Sequence, residues 1–159
     1  MFRLNRLTDY AVVVLMQMAQ TPARRVSASQ LSDESGLPLP TVSKLLNTLA
    51  RGGLIASTRG ATGGYALTQD ASQITVASVI QALEGPIALT ACVEGAHDSC
   101  ESEGICPMRG NWEKVNTAIR TALDGVTLAD MTAGFADFGG GPVLETAPPA
   151  LEKGLEPVR

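Results

Sequence analysis

Val42, Leu45, Leu46 and Leu49 fall at i, i+3, i+4 and i+7 directly after the turn Gly36-Leu37-Pro38-Leu39-Pro40, and no other stretch constrains the fold as tightly. An apolar stripe of that period belongs to a helix, expected here from about Leu39 to Gly52, with Thr41, Ser43, Lys44, Asn47 and Arg51 on its other faces. Gly36 suits the left-handed conformation that closes a preceding helix, and Pro40 suits the first position of the next. Ser27-Ala28-Ser29-Gln30 fits a capping box, in which hydroxyl and amide side chains each satisfy a backbone N–H, so the preceding helix runs to about Ser35. Two helices at a tight Gly-containing turn, the second with a polar outer face, read as a helix-turn-helix.

Upstream, a helix from about Thr8 to Gln20 carries Tyr10, Val13, Val14 and Met18 at helical spacing. The β-branched run from Val12 to Val14 argues for a strand, but the length of the pattern favours a helix. Downstream, Leu54 to Arg59 and Tyr65 to Thr68 read as antiparallel strands about the turn Gly60-Ala61-Thr62-Gly63-Gly64. Such a hairpin either covers the core or forms a wing. Arg59 at its tip, beside small residues that permit close backbone approach, suits a minor groove. The glycines follow no GxxxxGK[ST] pattern, so no phosphate cradle is expected.

Val76, Val79, Ile80 and Leu83 repeat the helical spacing, which predicts a helix from about Thr75 to Leu83, ended by Gly85-Pro86. Pro107 opens a longer one, from about Met108 to Leu123, with Trp112, Val115, Ile119 and Leu123 in one stripe. That stripe serves either an internal core or the seam of a homodimer. The dimer is the reading adopted, since the N-terminal module has partners enough for its own core. A short closing helix follows from Thr127 to Thr132. From Gly139 onward, with Pro142, Pro148, Pro149 and Pro157, the apolar content is too low to fold. The expected class is mainly α with a small β-hairpin. A winged helix-turn-helix DNA-binding domain spans 1–86, a cysteine loop 87–107, a dimerisation helix and closing helix 108–134, and a disordered tail 135–159.

All three cysteines, Cys92, Cys100 and Cys106, lie within fifteen residues in the order Cys-x7-Cys-x5-Cys, among Glu94, Gly95, Asp98, Ser99, Glu101, Ser102, Glu103 and Gly104. Buried structural cysteines usually sit singly in apolar runs. Thiolates gathered on a polar loop match what zinc or an iron–sulfur cluster requires. Three donors leave at least one coordination position open, and His97 is one candidate to fill it. The odd count, with no secretory leader evident, argues against a disulfide framework and for a reducing, cytoplasmic setting. No apolar run reaches the roughly 18 residues of a membrane span.

The net charge of −4 conceals an asymmetry. Residues 1–67 carry Arg3, Arg6, Arg24, Arg25, Lys44, Arg51 and Arg59 against Asp9, Asp33 and Glu34, a balance of +4; the remainder stands at −8. A basic half beside an acidic one suits a chain that meets nucleic acid with one end.

This order of parts resembles the Rrf2 family of bacterial transcription regulators over about residues 1–134. The marks are Arg3-Leu4, Thr8-Asp9-Tyr10-Ala11, Arg51-Gly52-Gly53-Leu54, Arg59-Gly60, Gly63-Gly64-Tyr65 and the three cysteines. Gly36-Leu37-Pro38-Leu39-Pro40-Thr41 and Glu84-Gly85-Pro86-Ile87-Ala88-Leu89-Thr90 look like the branch that regulates SUF iron–sulfur assembly genes.

The resemblance implies a DNA-binding homodimer with an iron–sulfur cluster, 2Fe-2S or 4Fe-4S, on Cys92, Cys100 and Cys106. In the IscR-like pattern a histidine follows the last cysteine by three residues, but Arg109 stands there, and an always-protonated guanidinium cannot ligate iron. In the NsrR-like pattern an aspartate early in the first helix completes the site from across the dimer, and Asp9 matches it. Asp9 also suits the first turn of a helix on electrostatic grounds alone.

Pro40, Thr41, Ser43 and Lys44 are then expected in the major groove and Arg59 with Gly60 at the minor groove of a pseudo-palindromic operator. Three accounts share these residues: a regulator, as repressor or dual regulator, governed by the cluster; a nitric oxide or redox sensor; and a zinc-stabilised DNA-binding protein. Catalysis is not expected, since there is no Cys-x-x-Cys pair and no second histidine to act as base.

Overall fold

The computed structural model describes residues 4–22, 24–60, 63–96, 100, 105–108 and 110–136. Helix α1 spans Arg6–Gln20 and begins two residues before the expected Thr8, because Asn5 caps it: the side-chain oxygen accepts from the Leu7 N–H at 2.7 Å. The Val12–Val14 run is helical, and the seam it buries is Ala11, Val14, Leu15 and Met18, one step round from the expected stripe. Helix α2, Ala28–Ser35, starts on the anticipated capping box, with Ser27 N–H donating to Gln30 Oε1 at 2.9 Å and Gln30 N–H to Ser27 Oγ at 3.2 Å. Gly36 closes it at φ 68°, where a Cβ is strained.

Helix α3, Leu39–Arg51, buries Val42, Leu45, Leu46 and Leu49 at 2% exposure or less. Burying each of these side chains contributes roughly 1.5–3 kcal/mol. Pro40 takes the second helical position rather than the first, since Leu39 already has helical geometry behind Pro38. Strands β1, Ile55–Thr58, and β2, Gly64–Leu67, pair antiparallel with Ile55 opposite Leu67 and Thr58 opposite Gly64. Val26 joins them as an isolated bridge, exchanging both backbone hydrogen bonds with Tyr65 at 2.9 Å. Gly64 makes that approach possible: a Cβ there meets the Val26 carbonyl oxygen at 2.9 Å. The hairpin is therefore anchored to the connection between α1 and α2.

After a 3-10 turn at Ala71–Gln73 comes α4, Val76–Glu84, capped by Thr75, whose hydroxyl accepts from Ser78 N–H at 3.1 Å. Helix α5, Asn111–Asp124, begins after Gly110, later than the expected Met108, because Pro107 and Met108 lie in a turn. Helix α6, Leu128–Ala136, returns to pack on α1. Its start is tied to that of α4, with Leu128 N–H donating to Ile74 O at 2.7 Å and Val76 N–H to Val126 O at 2.9 Å. The Thr127 hydroxyl and then its N–H hold the exposed Asp130 carboxyl below the usual carboxylate range, closing this turn.

One core joins α1, α2, α3, β1, Ile74, Val79 and Leu128. A smaller cluster, Ala77, Ile80 and Ile87, has Leu4, Val76, Ile119 and Leu123 packed against it. The α5 stripe is thus divided: Ile119 and Leu123 turn inward, while Trp112 and Val115 are 40% and 44% exposed. The architecture is mainly helical with a two-stranded hairpin, a winged helix-turn-helix. No helix among the described residues is long and apolar enough to cross a membrane. The tail expected from residue 135 lies outside the described residues from 137 on.

Candidate functional site

The candidate nucleic-acid face is built on α3. Its four leucine and valine side chains are locked inward, which turns Pro40, Lys44, Asn47 and Arg51 to solvent and leaves Thr41 and Ser43 half-buried. No side chain caps the start of this helix, so its positive end stays open beside Pro40, Thr41 and Lys44. Arg59 and Gly60 are exposed where the hairpin turns. Gly60 sits at φ 120°, and Gly63 N–H donates to its carbonyl at 2.9 Å. A Cβ at Gly63 meets the Thr58 carbonyl oxygen at 2.3 Å, so the tip closes only with glycine. The recognition residues and the wing thus stand on one body.

Arg25, counted above only as charge, stands beside this candidate face. Its Nη1 hydrogen-bonds the Thr58 hydroxyl, next to Arg59, and both arginines are exposed. The ion pair found among the described residues is Arg24 with Glu34 at 3.5 Å, which leaves the Arg25 guanidinium facing a hydroxyl rather than a carboxylate. The bridge between Val26 and Tyr65 brings Arg25 to the wing, and local sequence patterns carry no sign of it.

The cysteines lie on the segment between α4 and α5. All three are free thiols and half-buried, and the Cys92 sulfur is 3.2 Å from the Thr90 hydroxyl. Among the described residues, no three His, Cys, Asp or Glu side chains converge on one point within a single chain. The chemistry of the donors still suits a thiolate-bound metal centre: three unpaired sulfurs on one segment and no competing disulfide. A closed site needs a further donor and a rearrangement of the segment. His97, one candidate, lies outside the described residues, as does Arg109.

Asp9, the other candidate, is exposed in the first turn of α1. That turn is held from α4. Glu84 Oε1 accepts from Asn5 N–H at 3.0 Å and from the hydroxyl of Thr8, which is fully buried. Glu84 in turn directly precedes Gly85-Pro86-Ile87, the entry to the cysteine segment. The structure therefore joins the Asp9 turn and the Cys92 segment through the last turn of α4.

Residues 4–134 match the Rrf2 family, described as iron-dependent transcriptional regulators. Among solved structures, the chain is similar to CymR, the global cysteine regulator of B. subtilis, at 26% identity over 84% of this chain and 98% of that one, with a TM-score of 0.65. It is similar to T. potens IscR at 28% identity over 87% and 91%, with a TM-score of 0.63. An oxidized form of Staphylococcus aureus CymR matches at 27% identity over 82% and 96%, with a TM-score of 0.59. Members of the family are DNA-binding transcription regulators, typically dimeric, and not enzymes. With residues 4–134 of its 159 matched by the family, this chain belongs to the Rrf2 family of transcription regulators.

Proposed function

We propose that this chain is a cytoplasmic, homodimeric repressor of SUF iron–sulfur assembly genes whose grip on a pseudo-palindromic operator depends on an iron–sulfur cluster. The observation that carries this reading is the set of three free, half-buried thiols on the segment between the winged body and α5. Cys92, Cys100 and Cys106 would hold the cluster, with Asp9 of a second copy as fourth ligand. When bound, such a group offers a centre whose state follows iron supply and oxidants.

The chain's own residues do the rest. Pro40, Thr41, Ser43 and Lys44 meet the major groove, Arg59 and Gly60 the minor groove, and Arg25 a phosphate beside the wing. Trp112 and Val115 on α5 supply exposed apolar surface for the second copy. Cluster state alters operator affinity only by favouring one arrangement of the two copies over another.

Redox or nitric oxide sensing by the same thiols is the second reading, favoured by the likeness to a regulator solved in an oxidized form. Iron and sulfide analysis of protein prepared without oxygen separates a cluster-dependent regulator from a cluster-free thiol switch. Stoichiometric iron and labile sulfide support the first, and their absence with reversible thiol oxidation supports the second. Zinc without sulfide identifies a purely structural site. Asp9→Ala is expected to lower cluster retention about 10-fold or more while His97→Ala leaves it unchanged, as expected for loss of a metal contact. The reverse result moves the fourth position to His97.

The DNA-facing assignment has its own test. Arg59→Ala and Arg25→Ala are each expected to reduce the slope of log affinity against log salt by about 1, the signature of one lost cationic contact with the duplex. Arg59→Ala alone is expected also to weaken the preference for narrow minor grooves. A slope unchanged in Arg25→Ala but reduced in Arg59→Ala removes Arg25 from the interface and leaves the wing in place.

A further inference from the structure

Asn116, in the middle of α5, is a polar side chain with 0% of its surface exposed. Its partners are the residues that lead to Cys92: Nδ2 donates to the Ile87 carbonyl at 3.0 Å, and Oδ1 accepts from Leu89 N–H at 3.1 Å. One turn earlier on the helix, Glu113 Oε2 accepts from Glu94 N–H at 2.9 Å. Side chains three apart share a helix face. Helix α5 therefore grips the backbone on both sides of Cys92, at Leu89 and at Glu94.

Between these points and just beyond them the segment bonds to itself, Val93 N–H to Thr90 O at 3.4 Å and Ala96 N–H to Val93 O at 3.2 Å. Ile87 and Val93 are also buried, at 6% and 5% exposure. Apolar contacts are non-directional, whereas a buried amide paired to two peptide groups also fixes the register of the segment. An open cleft of about 490 Å³ lies beside the segment, lined by Gln81, Pro86, Ile87, Glu94, Gly95 and Arg120.

We infer that Asn116 and Glu113 are positioning residues for Cys92, fixing the thiol segment to α5 so that a change of state at Cys92 is delivered to the helix bearing Trp112 and Val115. The delivery rests on the thiol-sensing function proposed above, whereas the grip on Cys92 holds whatever the thiols bind.

The test uses full-length protein, first reduced and metal-free. N-ethylmaleimide labelling is followed separately at Cys92 and Cys106 by peptide mass spectrometry. Glu113→Ala, a change at a half-exposed position, is expected to label Cys92 about 5-fold faster, as loss of one hydrogen bond of ordinary net strength allows. Cys106 keeps its rate, and Glu113→Gln, which retains an acceptor oxygen, restores that of Cys92. Asn116→Ala is expected to give the larger acceleration. If its circular dichroism shows unfolding, the Glu113 pair decides the question.

In the second arm, operator affinity is compared between protein loaded with an iron–sulfur cluster and protein without it. The ratio of the two is expected to fall toward one in Glu113→Ala and to recover in Glu113→Gln. An unchanged Cys92 rate in Glu113→Ala, or rates at Cys92 and Cys106 that rise together, overturns the grip. Faster labelling with an unchanged affinity ratio overturns delivery to the helix. If no cluster can be loaded at all, the function proposed above and the delivery built on it both fail, and the labelling rates still decide the grip.

Discussion

Serine in place of Cys92, Cys100 or Cys106 is expected to abolish the visible absorption of protein prepared without oxygen, and with it the difference in operator affinity between loaded and unloaded protein. Alterations to residues that merely orient metal ligands cost about 10–100-fold in metal affinity, and loss of a thiolate ligand itself costs more. Three cysteines and one weaker oxygen donor leave no sulfur in reserve, since the chain has no fourth cysteine. A coupling of 1–3 kcal/mol between two sites corresponds to about 5–150-fold in affinity, and that whole factor is expected to vanish in each single variant. The check is an anaerobic spectrum, iron and sulfide content, and binding isotherms for the three variants against the unaltered chain. Colour retained at full intensity in any one of them places the ligand elsewhere.

The parts of the fold that could be read in advance are those governed by neighbours along the chain. Helix α3 was legible because four large apolar side chains repeat at helical spacing behind a Gly-Pro turn, and all four are buried. The Ser27 and Gln30 cap and the left-handed Gly36 were legible because their chemistry spans only a few residues.

The seam of α1 was missed by one step because it depends on Ala11, a side chain too small to stand out against Tyr10. Long-range polar contacts left no local signal. Glu84 holds Thr8 from 76 residues away, and Asn116 reads as a surface residue until the peptide groups of Ile87 and Leu89 are seen to cover it. The α5 stripe was divided for the same reason, since only the packing of α4 and Ile87 decides that Ile119 and Leu123 go inward. Of the candidate site, the exposed polar face of α3 and the hairpin beside it were readable from spacing and turn residues. The fourth ligand was left between Asp9 and His97 by the residues, and among the described residues of one chain no three such side chains converge to decide it.

Gly52→Ala is expected to weaken operator binding more than tenfold and to destabilise the fold by about 1–3 kcal/mol, the usual cost of forcing atoms into a packed contact. Gly52 caps the C-terminus of α3 at φ −75°, a conformation alanine adopts freely, so backbone strain makes no contribution. What forbids the methyl is α4. A Cβ on Gly52 comes 2.6 Å from the Ala82 Cβ and 3.3 Å from its Cα, with no flexible side chain to swing aside. The two helices must separate at the point where the recognition helix meets the helix whose last turn holds Asn5 and Thr8 through Glu84.

Ala82→Gly supplies the control. It costs about 1 kcal/mol by helix propensity alone. Placed together with Gly52→Ala, it removes the 2.6 Å collision, leaves only the 3.3 Å contact with the Cα, and is expected to return most of the lost operator affinity. Non-additivity of that sign in both melting temperature and affinity marks a contact between these two residues rather than two independent losses. Additive effects, or a Gly52→Ala variant that binds and melts like the parent, show that α3 takes its position from the leucine core alone and that α4 has no direct hold on the recognition helix.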